Sequence, residues 1–165
     1  MIQPGDTLPS VPVKLVDNDG VKDDVTTLDV LGRGRVVLFG VPGAFTPTCD
    51  TAHLPGFVAN AHKIKAAGID RIVCATVNDH HVVKAWAERS EALDQIDFIA
   101  DPAAEFAEAI GLAKDFPNLG GRRFARFAMI LNDGVVEKLF VQDVAGVTVS
   151  GAPAILLALQ GEAVS

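Results

Sequence analysis

Residues 35–49 read RVVLFGVPGAFTPTC, and the two halves of this stretch decide the architecture. The first seven, Arg35 to Val41, are almost all apolar, the pattern of a strand covered on both faces. Pro42-Gly43 breaks the run. Thr48 then opens a segment to Ala67 in which Leu54, Phe57, Val58, Ala61 and Ile64 recur three and four residues apart, the spacing of one helix face. Pro55 lies inside that segment and is expected to kink it. A buried strand that feeds a helix is the unit of an α/β sheet, whose sites collect at the carboxyl ends of its strands.

The alternation continues outward in both directions. Residues 11–16 (VPVKLV) read as a short strand closed by Asp17-Asn18-Asp19-Gly20. Gly68 ends the long helix, and residues 71–77 (RIVCATV) read as a second buried strand. Asn78-Asp79 caps a helix to Ser90 with Val82, Val83 and Trp86 on one side. Residues 97–100 predict a short strand, and Asp101-Pro102 starts a helix, since proline suits a first turn. Residues 127–131 and 135–141 flank Asn132-Asp133-Gly134, a hairpin signal, and residues 150–159 close with a helix. The expected class is α/β: a thioredoxin fold, with a central mixed β-sheet flanked by helices, in one domain over residues 1–165.

Composition narrows the function. Of 165 residues, 49% are hydrophobic and 21% charged, enough for a real core. Fourteen Lys and Arg against 21 Asp and Glu give −7, which weighs against nonspecific nucleic-acid binding and against anionic membranes. No Tyr and one Trp leave little for a base-stacking surface. The apolar runs at 36–41 and 152–159 are too short to cross a bilayer, and the opening residues MIQPGD lack the features of a signal peptide. The expectation is a soluble cytoplasmic protein whose two cysteines rest as thiols.

One of those thiols is placed for chemistry. Cys49 falls in the first turn of the helix, where backbone N–H groups and the helix dipole favour a thiolate. Positions 46 and 52 are Thr and Ala, so a dithiol pair within this motif is excluded. Each residue also has a plainer reading: Cys49 as core, Thr46 as a helix cap, Arg126 as a surface charge. Cys49 at a strand-to-helix turn with Thr46 and Pro42 in place favours a reactive thiol.

The spacing Pro42, Thr46, Cys49, inside GVPGAFTPTC and followed by HLPGF at 53–57, resembles the peroxiredoxin family, in its type II or peroxiredoxin-5 subfamily. The resemblance runs on through Val77-Asn78-Asp79, Trp86, Ala100-Asp101-Pro102 and Arg122-Arg123-Phe124-Ala125-Arg126-Phe127. It implies a thioredoxin fold with a peroxiredoxin N-terminal extension. It also implies a thiol peroxidase for hydrogen peroxide and small alkyl hydroperoxides that works through a Cys49 sulfenic acid, without cofactor or metal. Thr46 would accept a proton from the peroxide and donate one to the thiolate. Pro42 would pack over the sulfur. Arg126, from a later strand, would stand beside the sulfur and orient the peroxide. Backbone N–H groups of Ala44 or Phe45, and of Cys49, would meet the leaving oxygen. The resemblance further implies a homodimer built through the Thr46 region and the segment after Trp86.

Turnover needs a reductant. Many relatives carry a resolving Cys before the last helix; here residues 146–153 read GVTVSGAP and the equivalent position is Val149. Cys74, in mid-strand, is either a buried structural thiol or a resolving thiol, the latter from its match to a Cys of plant and bacterial type II members. A disulfide to Cys49 needs Cα atoms within about 7 Å. The favoured cycle is one-Cys, with glutathione, glutaredoxin or thioredoxin reducing Cys49 directly. The alternative is a peroxide-sensing redox relay that signals through Cys49 oxidation; an inert thioredoxin-fold scaffold is the third reading. His80-His81 point about 100° apart on a helix and chelate poorly. Gly120-Gly121 reads as a turn, and Arg122 and Arg123 as surface charges or ion-pair partners. His53 is left between an acid–base role and a capping or interface role.

Overall fold

The computed structural model describes residues 1–142 and 147–164. The chain begins with an antiparallel pair, β1 (Pro12–Asp17) and β2 (Gly20–Thr26), and a short helix α1 (Thr27–Leu31). Strand β3 (Arg35–Val41) leads through a π-helical turn at Cys49–His53 into α2 (Leu54–Ala66). Then come β4 (Arg71–Thr76), α3 (His80–Arg89), β5 (Asp97–Ala100) and α4 (Glu105–Ala109). A small hairpin of β6 (Ala113–Phe116) and β7 (Gly121–Phe124) precedes β8 (Phe127–Asn132), β9 (Val135–Val141) and α5 (Ala152–Val164).

Seven strands form one mixed sheet in the order β2-β1-β5-β4-β3-β8-β9. The centre is parallel, β3 with β4 and β4 with β5, and the flanks are antiparallel. Burial on both faces explains the continuous apolar runs. One face sends Phe39, Cys74, Phe98 and Ile130 toward Phe57 and Ile64 of α2, Trp86 of α3 and Ile155 of α5. The other sends Leu38, Val73, Ile99 and Met129 toward Leu31 of α1 and Phe106 of α4. This is the expected α/β sheet, with β3 near its centre delivering the cysteine loop at its carboxyl end.

One strand adds to the sequence reading, and three local expectations change. The 20–26 segment is a strand, though its middle residues Lys22, Asp23 and Asp24 are exposed; it is an edge, so only its pairing with β1 is required. The helix after Asp101-Pro102 starts later, at Glu105, because the buried Asp101 carboxylate accepts the backbone N–H groups of Phe106 (3.2 Å) and Ala107 (3.0 Å). The last helix begins at Ala152, so Ser150 lies in the turn before it. Pro55 sits in the first turn of α2 instead of inside a long helix. The distortion falls before it, where Leu54 N–H reaches back to the Cys49 carbonyl as a π turn. The hairpin is as expected: Asp133 (φ 47°) and Gly134 (φ 81°) are both left-handed, the geometry of a two-residue type I′ turn.

Candidate active site

The site is built where β3 ends. Val41 and Pro42 are buried, and the chain then turns sharply, with Phe45 at a φ of 63°. Hydrogen bonds of three side chains, Thr46, Arg123 and Asn78, hold that turn. Thr46 Oγ1 donates to the Gly43 carbonyl at 2.7 Å. Arg123 Nη1 donates to the Pro42 carbonyl at 3.2 Å, and Arg123 Nη2 to the Leu119 carbonyl at 2.8 Å. Ala44 N–H donates to Asn78 Oδ1 at 2.9 Å, and Thr76 Oγ1 donates to the same oxygen at 2.6 Å. Asn78 therefore stitches the end of β4 to the loop after β3.

Cys49 opens the π turn and is fully buried. Arg126 Nη2 points at its sulfur at 3.1 Å. A guanidinium so close offers the sulfur a charge-assisted hydrogen bond. The other arm, Arg126 Nη1, lies 2.9 Å from His53 Nδ1, and His53 Nε2 lies 2.8 Å from the Ser150 carbonyl. Burial first, and the nearby Arg126 charge second, push the His53 imidazole down to about 3, while its bond to Ser150 acts the other way. His53 is thus neutral at physiological pH. Next to Cys49, Asp50 accepts from Trp86 Nε1 (3.0 Å) and Arg89 Nη2 (3.3 Å), tying the turn to α3. The Arg89 guanidinium lies 5.3 Å from the ring centre of Phe45, which is 39% exposed.

Arg126 thus reaches the Cys49 sulfur, and Pro42 and Thr46 lie in the loop that leads into the Cys49 turn, with five differences in detail. Arg126 belongs to the bend between β7 and β8, not to a strand. The Thr46 hydroxyl proton is committed to Gly43 O, so the oxygen is left to offer lone pairs rather than a proton. The Ala44 amide is spent on Asn78, which removes it as a partner for a leaving oxygen; Phe45 and Cys49 remain. Arg123 is no surface charge: it is half-buried and braces the Pro42 carbonyl, whereas Arg122 is the exposed ion-pair partner of Glu108 and Asp115. His53 is neither cap nor interface residue but a buried partner of Arg126. No local signal marks that role, because Arg126 is 73 residues away in the chain.

Cys74 is fully buried in β4, opposite Phe39 and Phe98, and is a free thiol, as is Cys49. Burial drives the Cys74 thiol well above its ordinary range. Val149 is 42% exposed in the segment before α5, whose first residue, Gly146, lies outside the described residues.

A family model described as Redoxin matches residues 3–156. Peroxiredoxin-2D of Arabidopsis thaliana is 38% identical over 156 residues, covering 94% of this chain and 96% of that protein. The crystal structure of reduced Prx3 from Vibrio vulnificus in complex with hydrogen peroxide superposes with a TM-score of 0.90 at 43% identity, over 96% of this chain and 99% of that one. Peroxiredoxin 5 from Alvinella pompejana gives a TM-score of 0.84 at 29% identity, over 98% and 99% of the two chains. The sheet and the thiol loop define a redoxin. At this level of likeness the chain belongs to the peroxiredoxins, in the type II or peroxiredoxin-5 subfamily.

Proposed function

We propose that this protein reduces hydrogen peroxide and small alkyl hydroperoxides through Cys49 in a one-Cys cycle. Thiol-dependent peroxidase chemistry is the coarse statement that family membership supports. The observation that supports Cys49 as its nucleophile is the Arg126 guanidinium seated on the buried sulfur at 3.1 Å. The thiolate attacks one peroxide oxygen, an S–O bond forms and the O–O bond breaks. The attacked oxygen keeps its own proton, and the leaving oxygen takes one from solvent and departs as water or an alcohol. Sulfur is oxidised by two electrons to the sulfenic acid, and the peroxide is reduced by two. Arg126 holds the thiolate and the peroxide oxygens together. Thr46 Oγ1, its own proton given to Gly43, accepts the peroxide hydroxyl. Pro42, buried at the end of β3, helps keep water from the sulfur.

Glutathione, alone or through glutaredoxin, or thioredoxin then attacks the sulfenic sulfur. Water leaves, a mixed disulfide forms, and a second thiol returns Cys49. Two facts favour this route over an internal disulfide. Val149 stands where many relatives carry a resolving Cys, and Cys74 is a buried thiol pushed away from the thiolate form. On the same reading the chain works as a homodimer joined near Thr46 and the segment after Trp86, and acts in the cytoplasm. The test is NADPH-coupled turnover of hydrogen peroxide with glutathione, glutaredoxin and glutathione reductase, repeated with thioredoxin and its reductase. Sustained turnover that vanishes in Cys49→Ser supports the proposal. A single oxidation of Cys49 that neither system reverses overturns it in favour of a relay.

A further inference from the structure

We infer that His53 is a positioning residue, held with Gln142 and Ser150 in a closed hydrogen-bond ring that fixes Arg126 at both its backbone and its guanidinium. The inference rests on the reading of Cys49 as the reacting thiol. The ring has four links. Gln142 N–H donates to the Arg126 carbonyl at 2.9 Å. Ser150 Oγ donates to Gln142 Oε1 at 3.1 Å. His53 Nε2 meets the Ser150 carbonyl at 2.8 Å. Arg126 Nη1 meets His53 Nδ1 at 2.9 Å and closes the loop. Thr148 N–H adds a further 2.9 Å bond to Gln142 Oε1, anchoring the turn that presents Ser150.

Donor and acceptor chemistry leaves His53 one state. A carbonyl oxygen only accepts, so Nε2 carries the hydrogen. A guanidinium only donates, so Nδ1 must offer a lone pair. Both ends demand the same neutral tautomer. An imidazolium would set N–H against N–H in a site that is 1% exposed. The surroundings agree with that assignment. Phe39 and Phe57 stand against the ring at centroid distances of 5.0 and 5.6 Å, and the charged group facing it is Arg126.

A rigid planar fork turns this into control of the nucleophile. Nη1 and Nη2 share one plane, so a fixed Nη1 also fixes Nη2, the atom on the Cys49 sulfur. A free arginine side chain has many rotamers, and holding one of them is what an orienting acceptor does. The Ser150 carbonyl therefore sets the His53 tautomer, the tautomer sets the arginine, and the arginine sets the thiolate. The turn before α5 is coupled to the reacting sulfur without touching it.

The test compares His53→Leu with His53→Asn in the full chain. The leucine fills the apolar site but accepts no hydrogen bond. The asparagine places Oδ1 near the Nδ1 position and can accept from Arg126. Two readouts are taken at one pH: the rate of reaction with hydrogen peroxide, and the thiolate ultraviolet absorbance of the reduced protein, which needs no peroxide. Positioning predicts that the leucine variant loses about 10- to 100-fold in rate and part of its thiolate, and that asparagine recovers most of both. A packing role predicts the reverse order, with leucine at least as good as asparagine, and that order overturns the inference. Gln142→Ala, which keeps the backbone bond to Arg126 and removes the side-chain link to Ser150, should lower both readouts in the same direction. If either His53 variant fails to fold, this one decides alone, and unchanged readouts overturn the inference. Should wild type not react with peroxide, the function proposed above fails, while the thiolate absorbance still decides the role of His53.

Discussion

Arg126→Ala is the substitution whose cost the geometry sets most directly. At 3.1 Å the guanidinium and a Cys49 thiolate attract by about 5 kcal/mol at an effective dielectric near 20. Part of that is offset by the water both groups give up, since the sulfur is fully buried and Arg126 is half-buried. Loss of one charge-assisted donor at a reacting centre leaves a net of about 2–4 kcal/mol. At 1.36 kcal/mol per decade, the peroxide step slows by about 30- to 1000-fold. Arg126→Lys keeps the charge but has a single ammonium for two partners, His53 and the sulfur, so it should fall between wild type and alanine. The assay is stopped-flow fluorescence. Trp86 is the only tryptophan, and its Nε1 bonds to Asp50, the neighbour of Cys49. Its emission therefore reports oxidation at the sulfur. A folded Arg126→Ala protein within about threefold of wild type would refute the electrostatic reasoning.

The remaining predictions concern the surroundings of the thiol. His53 is depressed to about 3 from an ordinary 6.5, so its neutral burial stabilises the fold fully above about pH 6.5. That contribution is lost as pH falls toward 3, at about 1.4 kcal/mol per pH unit. Melting temperatures of the reduced protein between pH 7 and 4 should drop less steeply for His53→Leu than for wild type, and parallel curves would contradict the assignment. Asn78→Ala strands the Ala44 amide and the buried Thr76 hydroxyl. It should cost about 1–3 kcal/mol in urea unfolding and slow the peroxide step. Arg122→Ala, which breaks only exposed ion pairs, should cost under about 1 kcal/mol. Equal costs for the two variants would show that the loop is not braced as described. Cys74→Ser should keep turnover with glutathione and glutaredoxin; a folded variant without turnover makes Cys74 the resolving thiol.

What the sequence made legible follows from how locally each feature is encoded. Strands β3, β4 and β8 are buried on both faces and announce themselves as apolar runs. Strand β2 carries Lys22-Asp23-Asp24 in its centre because an edge needs one partner and no cover. Helix α1 is five residues long, too short to show a helical period, and opens on a reciprocal cap between Thr26 and Asp29. The loop from Pro42 to Cys49 is contiguous, so spacing alone puts Thr46 three residues before Cys49. Arg126 lies 77 residues from Cys49 and could be placed only by family resemblance. The bracing by Asn78 and Arg123 and the His53 ring were hidden for the same reason. Each depends on which distant donor a given acceptor meets after folding, and neither periodicity nor motif carries that. The expected role of the Ala44 amide failed on such a contact, through Asn78.

The most direct test of the account is the intact mass of the reduced protein after one equivalent of hydrogen peroxide, first without glutathione and then with it. The account predicts a gain of one oxygen mapped to Cys49, followed by one glutathione adduct at the same residue. A loss of two hydrogens with a Cys49–Cys74 link, or no change within seconds, would contradict it.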